Sequence, residues 1–266
     1  MALEDSARAL EVTLPVGGGR ARTVRISAGA RRTARVEVAG RPPGTKAAEQ
    51  IVRLVSHILR LDEDLSGFYE VARRDPDLAW AADGAGRMVR SATVFEDVVK
   101  TICTTNCTWS ATQRMVGALV ENLGAEAPGG KHAFPTPGAM AAADERFYKE
   151  AVRAGYRGPN FRALATDVAE GRLDLEQLLD PELPDDEVEA ELLALPGVGP
   201  YASAHIMMTL GRHSRLILDS WTRPTYARLT GNRKVSDAAI ERRFHPYGKY
   251  AGLAFWLFLT RDWVEA

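Results

Sequence analysis

Cysteine is nearly absent: Cys103 and Cys107 are the only two in 266 residues. Four residues apart in a stretch with helical character, they suit neither a short disulfide loop nor a four-thiolate cluster, and are read as reduced, partly buried thiols. Long apolar runs are also missing. None approaches the roughly 18 residues of a membrane span, and the opening MALEDSARALEV has neither the basic nor the apolar region of a secretory leader. A soluble, cytoplasmic chain with no membrane partner is the expectation. Net charge is lacking too, at −1 from 34 Lys and Arg against 35 Asp and Glu, which argues weakly against a nucleic-acid partner because phosphates are held by cations. No internal repeat or low-complexity tract is present.

The neutral average conceals a segregation of sign. Seven arginines stand between Arg20 and Arg41 against the single acid Glu37, and nine Lys or Arg between Arg212 and Lys249 against Asp219, Asp237 and Glu241. Eight acids and no Lys or Arg run from Glu176 to Glu191. Such a distribution lets a near-neutral protein present a basic face, although ordinary solvated charges would give the same counts.

With 45% hydrophobic residues the chain can bury a sizeable core, as one large domain or two smaller ones. Its first part alternates: LEVTLPV, RTVRISA and RTARVEVAG are of strand length, separated by glycine-bearing turns, and predict a small antiparallel sheet. After Lys46 the period changes to that of a helix, with Ile51, Leu54, Val55, Ile58, Leu59 and Leu61 on one stripe that would cover the sheet. This places a domain over 1–61 and a helical domain over 62–266. Helices are predicted over 65–73, 94–122, from Gly138, and over 144–154, 159–170, 175–179, 185–194, 201–211, 221–230, 237–244 and 250–261, with glycine or proline near most joints.

The most informative segment is LLALPGVGPYASAHIMMTL, an apolar helix end, the turn Pro196-Gly197-Val198-Gly199-Pro200, and a second apolar helix. Gly197 and Gly199 permit a tight turn with uncovered backbone N–H groups, and Pro200 suits a first helical turn. Amides beside a helix N-terminus attract anions, yet a plain helix connection has the same look.

LPGVGPYAS followed by LILDSWTR resembles the hairpin and catalytic aspartate of the helix-hairpin-helix DNA glycosylases, and Asp219 lies twenty residues past Gly199, near the family's spacing. TICTTNCTWSATQRMVGALVENLG is similar to the family's helix for DNA intercalation and orphan-base contacts. FPTP and AGYRGPNFRALA follow in the family's order, so that the likeness covers roughly 92–263. The resemblance implies a mainly α fold with a small N-terminal antiparallel β-sheet (α+β) and two helical subdomains flanking an active-site cleft. It also implies that Gly197, Val198 and Gly199 bind DNA, and a monovalent cation on the hairpin carbonyls is plausible from the family. The Gly-Tyr-Arg at 155–157 points to the 8-oxoguanine glycosylase branch, in which Tyr156 would wedge into the stack and Arg157 with Asn106 would contact the orphaned base. From the residues alone, the preferred reading of Tyr156 is a structural tyrosine in a Gly155–Pro159 turn.

Two departures from the family matter. Tyr201 stands where bifunctional members place a lysine, which implies a glycosylase without lyase activity. The carboxy-terminal four-cysteine loop of some members is missing, so no iron-sulfur cluster is expected and no cofactor is required.

The chemistry asks for a carboxylate on its own account. Breaking a base–sugar bond develops positive charge on the deoxyribose, which a fixed anion in a water-poor pocket stabilises, and Asp219 can also orient or deprotonate the attacking water. The plainer reading makes Asp219 an N-cap of the next helix, and both roles can hold together. Tyr201 and Trp221 are candidates for a base pocket, His205 and Trp109 weaker ones, since aromatics at helical spacing are often core. Met207 and Met208 read as core. His132, His213 and His245 have no companions at metal-ligand spacing, so no metal is expected.

The expected partner is double-stranded DNA carrying a damaged base, the expected state a monomer, and the expected activity excision of an 8-oxoguanine-like purine. Excision of alkylated, 3-methyladenine-type bases and damage binding without catalysis are the alternatives.

Overall fold

The computed structural model describes residues 2–4, 9–31 and 33–263. Arg32, at which the third expected strand begins, and Asp5 to Arg8 of the opening segment lie outside the described residues.

The alternating amino-terminal stretch forms an antiparallel sheet of four strands in the order β1 (Ala2–Glu4), β2 (Ala9–Val16), β3 (Arg20–Ala28) and β4 (Ala34–Val38), one more than the alternation predicts. Val12 pairs with Val24, and Val24 with Val38. The period of two sends Val12, Leu14 and Val16 to a buried face, as a half-covered sheet requires. Helix α1 (Thr45–Leu59) buries Ile51, Val55 and Ile58, and its Gln50 side chain accepts the Gly17 amide at 2.9 Å, joining it to the β2–β3 turn.

The chain falls into two compact units, one of residues 1–58 and 91–175, the other of 59–90 and 176–266. The sheet therefore shares its unit with residues 91–175. This first unit also contains α3 (Val94–Thr104), α4 (Trp109–Leu123), α5 (Pro137–Ala142) and α6 (Arg157–Ala169), while α2 (Ser66–Ala72) belongs to the second. The stretch 94–122, expected as one helix, is broken at 105–108. Thr105 is extended, Asn106 is left-handed at φ +46°, and the Thr108 hydroxyl accepts the Ala111 amide at 3.3 Å, ending one helix and capping the next. Uniform apolar periodicity hides such a break, since its punctuation consists of Thr and Asn and not of Gly or Pro. Over 144–154 the helix runs from 145 to 151, its Phe147–Ala151 part as a π-type turn, and Arg153 at φ +56° re-aims the chain toward α6.

The second unit holds α7 (Asp185–Ala194), α8 (Pro200–Leu210), α9 (Thr222–Leu229), α10 (Asp237–Phe244) and α11 (Ala251–Thr260), close to the predicted spans. Phe68, Leu78, Ile240, Phe244 and Phe255 are fully buried together, and the rings of Phe244 and Phe255 meet edge-on at 5.2 Å. Each such side chain contributes roughly 1.5–3 kcal/mol, which fixes α2, α10 and α11 as one packed body.

Three of the eight acids of 176–191, Asp185, Asp186 and Glu189, are paired with arginines inside this unit. Asp185 on α7 takes Arg212 at 2.9 Å, and Glu189 takes Arg215 at 2.8 Å. Arg223 pairs with Asp237 at 2.7 Å and Arg243 with Asp75 at 2.5 Å. The basic stretch 212–249 is thus more nearly neutralised than its composition suggests. No helix among the described residues is long and apolar enough to cross a membrane.

Candidate active site

Within the second unit, α7 ends at Ala194 and α8 begins at Pro200, with the hairpin between them. Gly197 is left-handed at φ +86°, a conformation that L side chains resist. Val198 turns inward and donates its amide to the Leu195 carbonyl at 3.2 Å, while Gly197 is exposed. Gly199 is in ordinary extended backbone and a Cβ there would meet nothing within 4 Å, so the protein itself does not demand glycine at 199. A surface that must come close to an external group does. No described residue accepts the amides of Gly197 or Gly199, and both lie at the N-terminal, electropositive end of the 11-residue α8.

The far end of α8 is clamped. Gly211 closes the helix at φ +95°, and Arg60 donates to the carbonyls of Met208 at 3.0 Å and Thr209 at 3.4 Å, a cation at the helix's negative end. Arg60 also pairs with Glu63 at 2.6 Å, and Glu63 meets Nε2 of His213 at 2.9 Å. Both Arg60 and His213 are buried. Burial, opposed by Glu63, holds the Arg60 guanidinium below its ordinary pKa. The clamp was not read from the sequence, because its partners stand about 150 residues apart.

Asp219 sits at the head of α9. Its Oδ1 accepts the amides of Trp221 at 2.8 Å and Thr222 at 2.6 Å, and its own amide donates to Thr222 Oγ1 at 2.8 Å. This reciprocal cap satisfies orphan donors of the helix start and freezes the carboxylate's orientation. Oδ2 accepts no hydrogen bond from any described residue, so one oxygen is structural and the other is available for chemistry.

Around Asp219 the unit gathers aromatic and apolar side chains. Along α8, Tyr201, Ala204, His205 and Met208 fall at the i, i+3, i+4, i+7 positions of one face. Ala204 and Met208 pack against Ile217, two residues before Asp219, with Tyr201 and Trp256 packed on the same cluster. Tyr201 and His205 rings lie 5.9 Å apart. Trp221 meets Trp256 at 5.8 Å and Trp263 at 5.7 Å, and Trp221 and Trp263 remain 39% and 63% exposed, a large apolar surface left open beside a carboxylate. Trp256 and Trp263 were missed in the sequence, where their only signal was seven-residue spacing at the end of an apolar helix. A cavity of about 700 Å³ in the same unit is lined by Tyr201, Ala204, Leu218 and the Arg223–Asp237 pair.

The first unit carries Asn106, Tyr156 and Arg157. Tyr156 is 60% exposed and its hydroxyl accepts from the Asn106 amide at 3.3 Å. Arg157 is placed differently from the expectation of an orphan-base contact. It is 6% exposed, stacks on the Tyr156 ring at 4.5 Å, and donates to the carbonyls of Ile102 at 3.2 Å, Ala154 at 3.5 Å and Thr105. Its donors are turned into the protein, locking the break between α3 and α4 to the start of α6. Trp109, weighed as a pocket residue, belongs to this unit and is 69% exposed at the first turn of α4. Cys103 is buried and Cys107 exposed, both as free thiols. Among the described residues no group of three or more His, Cys, Asp or Glu is placed to hold a metal ion.

No family model matches the sequence, and no curated protein matches it either. Solved structures do resemble it. The 3-methyladenine DNA glycosylase from Archaeoglobus fulgidus superposes with a TM-score of 0.74 at 21% identity, covering 96% of this chain and 87% of that one. The 8-oxoguanine glycosylase/lyase from Clostridium acetobutylicum, in complex with double-stranded DNA containing cytosine opposite 8-oxoguanine, gives 0.71 at 22% identity over 96% of this chain and 89% of that one. Its apo form gives 0.70 at 22% identity over 93% and 88%. The fold of the present chain is that of the helix-hairpin-helix DNA glycosylases, mainly helical with a small amino-terminal antiparallel sheet.

Proposed function

We propose that this chain is a monomeric cytoplasmic DNA glycosylase that hydrolyses the N-glycosidic bond of a damaged purine flipped out of duplex DNA. The observation that carries the reading is Asp219, with one oxygen pinned by two backbone amides and the other unengaged beside an open aromatic surface. As the base departs, the deoxyribose becomes cationic, and a preorganised anion lowers that barrier without having to reorient. Oδ2 also receives the proton of the attacking water. The hairpin amides at Gly197 and Gly199 grip a backbone phosphate, and Val198 anchors the turn inside. The carbonyls of Pro196, Gly197 and Val198, which accept no hydrogen bond from described residues, suit a monovalent cation that offsets phosphate charge.

Tyr156, held by Asn106 and Arg157, is the wedge that enters the stack, and Asn106 satisfies the orphaned partner. Flipping costs a few kcal/mol of stacking and pairing, part of which an inserted ring recovers. This arrangement favours an 8-oxoguanine-like base. The tryptophan cluster supports a second reading, since stacked indoles also attract the positive ring of an alkylated purine. Tyr201 and Trp221 line the base pocket in either case. Tyr201 has no amine with which to form a Schiff base, so excision proceeds without strand cleavage.

Single-turnover assays on duplexes each carrying one defined lesion test the proposal. Asp219→Asn keeps the cap acceptor but not the charge, and should reduce base release at least about 1,000-fold with DNA affinity retained. Wild-type-like release by this variant, or no release from any lesion by the native protein, would sink the assignment. Borohydride should trap no protein–DNA adduct; a strong adduct overturns the monofunctional part alone.

A further inference from the structure

His205 is a partly buried titratable group on the same face of α8 as Tyr201, and it has no place in the mechanism above. Its Nδ1 is sealed from solvent and bonds to no described residue. Its Nε2 is not sealed, and no described residue bonds to it either. A neutral imidazole carries one N–H, and an N–H at Nδ1 would strand a buried donor, which is rarer and costlier than a bare buried lone pair. The proton therefore belongs on Nε2. Burial keeps the ring below the ordinary histidine pKa, hence neutral near pH 7, although the Asp219 carboxylate acts in the opposite direction. The His205 ring lies 5.9 Å from that of Tyr201, on the α8 face whose Ala204 and Met208 pack on Ile217, two residues before Asp219.

Resting on the glycosylase reading, we infer that His205 is a catalytic residue whose Nε2–H donates a hydrogen bond to the departing base. When the bond from C1′ to the glycosidic nitrogen breaks, its electron pair leaves with the base, so charge of opposite sign develops at two places. Asp219 answers the cation on the sugar. The Nε2–H of His205 answers the negative charge spreading over a neutral purine such as 8-oxoguanine. Water adds to C1′ and gives its proton to Asp219, which releases it through solvent to the departed base, so that the carboxylate and the imidazole both return unchanged. An N-alkylated purine is already cationic and leaves neutral, so it gains little from this donor. His205 thus separates the two substrate classes by the charge of the leaving group.

Two measurements test this. In the 15N-histidine-labelled protein at pH 7, with His205 assigned by the resonance lost in His205→Gln, Nε2 should carry the proton; a protonated Nδ1 overturns the inference. Single-turnover release is then compared on duplexes carrying one 8-oxoguanine or one 7-methylguanine. His205→Ala should slow release of 8-oxoguanine by about 100-fold, the usual effect of removing one transition-state donor. It should slow 7-methylguanine release less than about fivefold, and His205→Gln, which keeps an N–H, should recover most of the loss. Equal loss on both lesions, or no recovery with glutamine, makes His205 structural and overturns the role. If the native protein releases only 7-methylguanine, a large loss in His205→Ala overturns it as well. Release of neither base by the native protein defeats the glycosylase reading, and this role with it.

Discussion

All three side-chain nitrogens of Arg157 donate inside the protein. With the guanidinium buried against three backbone carbonyls, its removal leaves acceptors unpaired and the break between α3 and α4 unlocked. Charged hydrogen bonds of this kind contribute about 1.5–3 kcal/mol each before relaxation. Arg157→Ala should lose about 3 kcal/mol of stability in urea unfolding, whereas Tyr156→Ala, exposed and held by one long hydrogen bond and the Arg157 stack, should lose under about 1 kcal/mol. The functional order reverses: Tyr156→Ala should slow excision from fully paired DNA far more than from a mismatch or single strands, where extrusion is already cheap. Equal slowing on all three substrates would remove Tyr156 from the flipping step. A second residue has a pH signature. Asp97 is 7% exposed and accepts the Ser91 amide at 3.0 Å, and burial lifts its pKa from 3.8 to about 6. The folded state then binds the proton more tightly than the unfolded one, so stability from this group is present below about pH 4 and is lost as pH rises toward 6. Asp97→Asn should be more stable than the native protein by about 1–2 kcal/mol at pH 7 and no more stable at pH 4, measured by urea unfolding across pH.

At the scale of elements, α8 joins three features of the second unit: its hairpin leaves the Gly197 and Gly199 amides open, its middle faces the aromatic cluster, and its last turn is clamped by Arg60. The glycines at its two ends act for different reasons. Gly211 is required internally, since a Cβ would stand 2.1 Å from Arg60 Nη2, while Gly199 has open space where a Cβ would go. Gly199→Ala should therefore fold normally yet weaken binding to lesion-bearing and undamaged duplexes alike, by about tenfold or ~1.4 kcal/mol. A change confined to one lesion would put the hairpin in the base pocket. This contrast also marks what was legible in the sequence. Helices such as Asp185–Ala194 and Asp237–Phe244 could be read because polar or acidic starts and apolar period coincide there, and the hairpin with Asp219 because both lie within 25 residues of chain. The bend at Asn106, the inward turn of Arg157 and the grouping of Trp221 with Trp256 and Trp263 depend on what packs against what over 35 to 55 residues of separation, and no local pattern reports that.

For the molecule as a whole, a net charge of −1 has to be reconciled with a polyanionic partner. Nine cations lie between Arg212 and Lys249, but Arg212, Arg215, Arg223 and Arg243 are held by carboxylates at 2.9 Å or less, and Arg228 stands 4.0 Å from Asp262. Arg233, Lys234, Arg242 and Lys249 make no ion pair among the described residues and are exposed, so they are the cations of this stretch left for phosphate. Each phosphate neutralised contributes roughly −0.9 to the slope of log K against log salt, so four contacts give a slope of about −3.6. Affinity for an undamaged duplex should then fall on the order of 100-fold between 50 and 200 mM KCl, against 1,000-fold or more for a protein making six to ten contacts. Fluorescence anisotropy over that range reads the slope directly. Asp237→Asn supplies the control: Arg223 loses its partner and becomes available to DNA, so affinity at 50 mM should rise and the slope steepen by about one unit. A native slope already near −8 would mean that the arginines exchange their carboxylates for phosphates on binding, and Asp237→Asn would then raise affinity without steepening the slope.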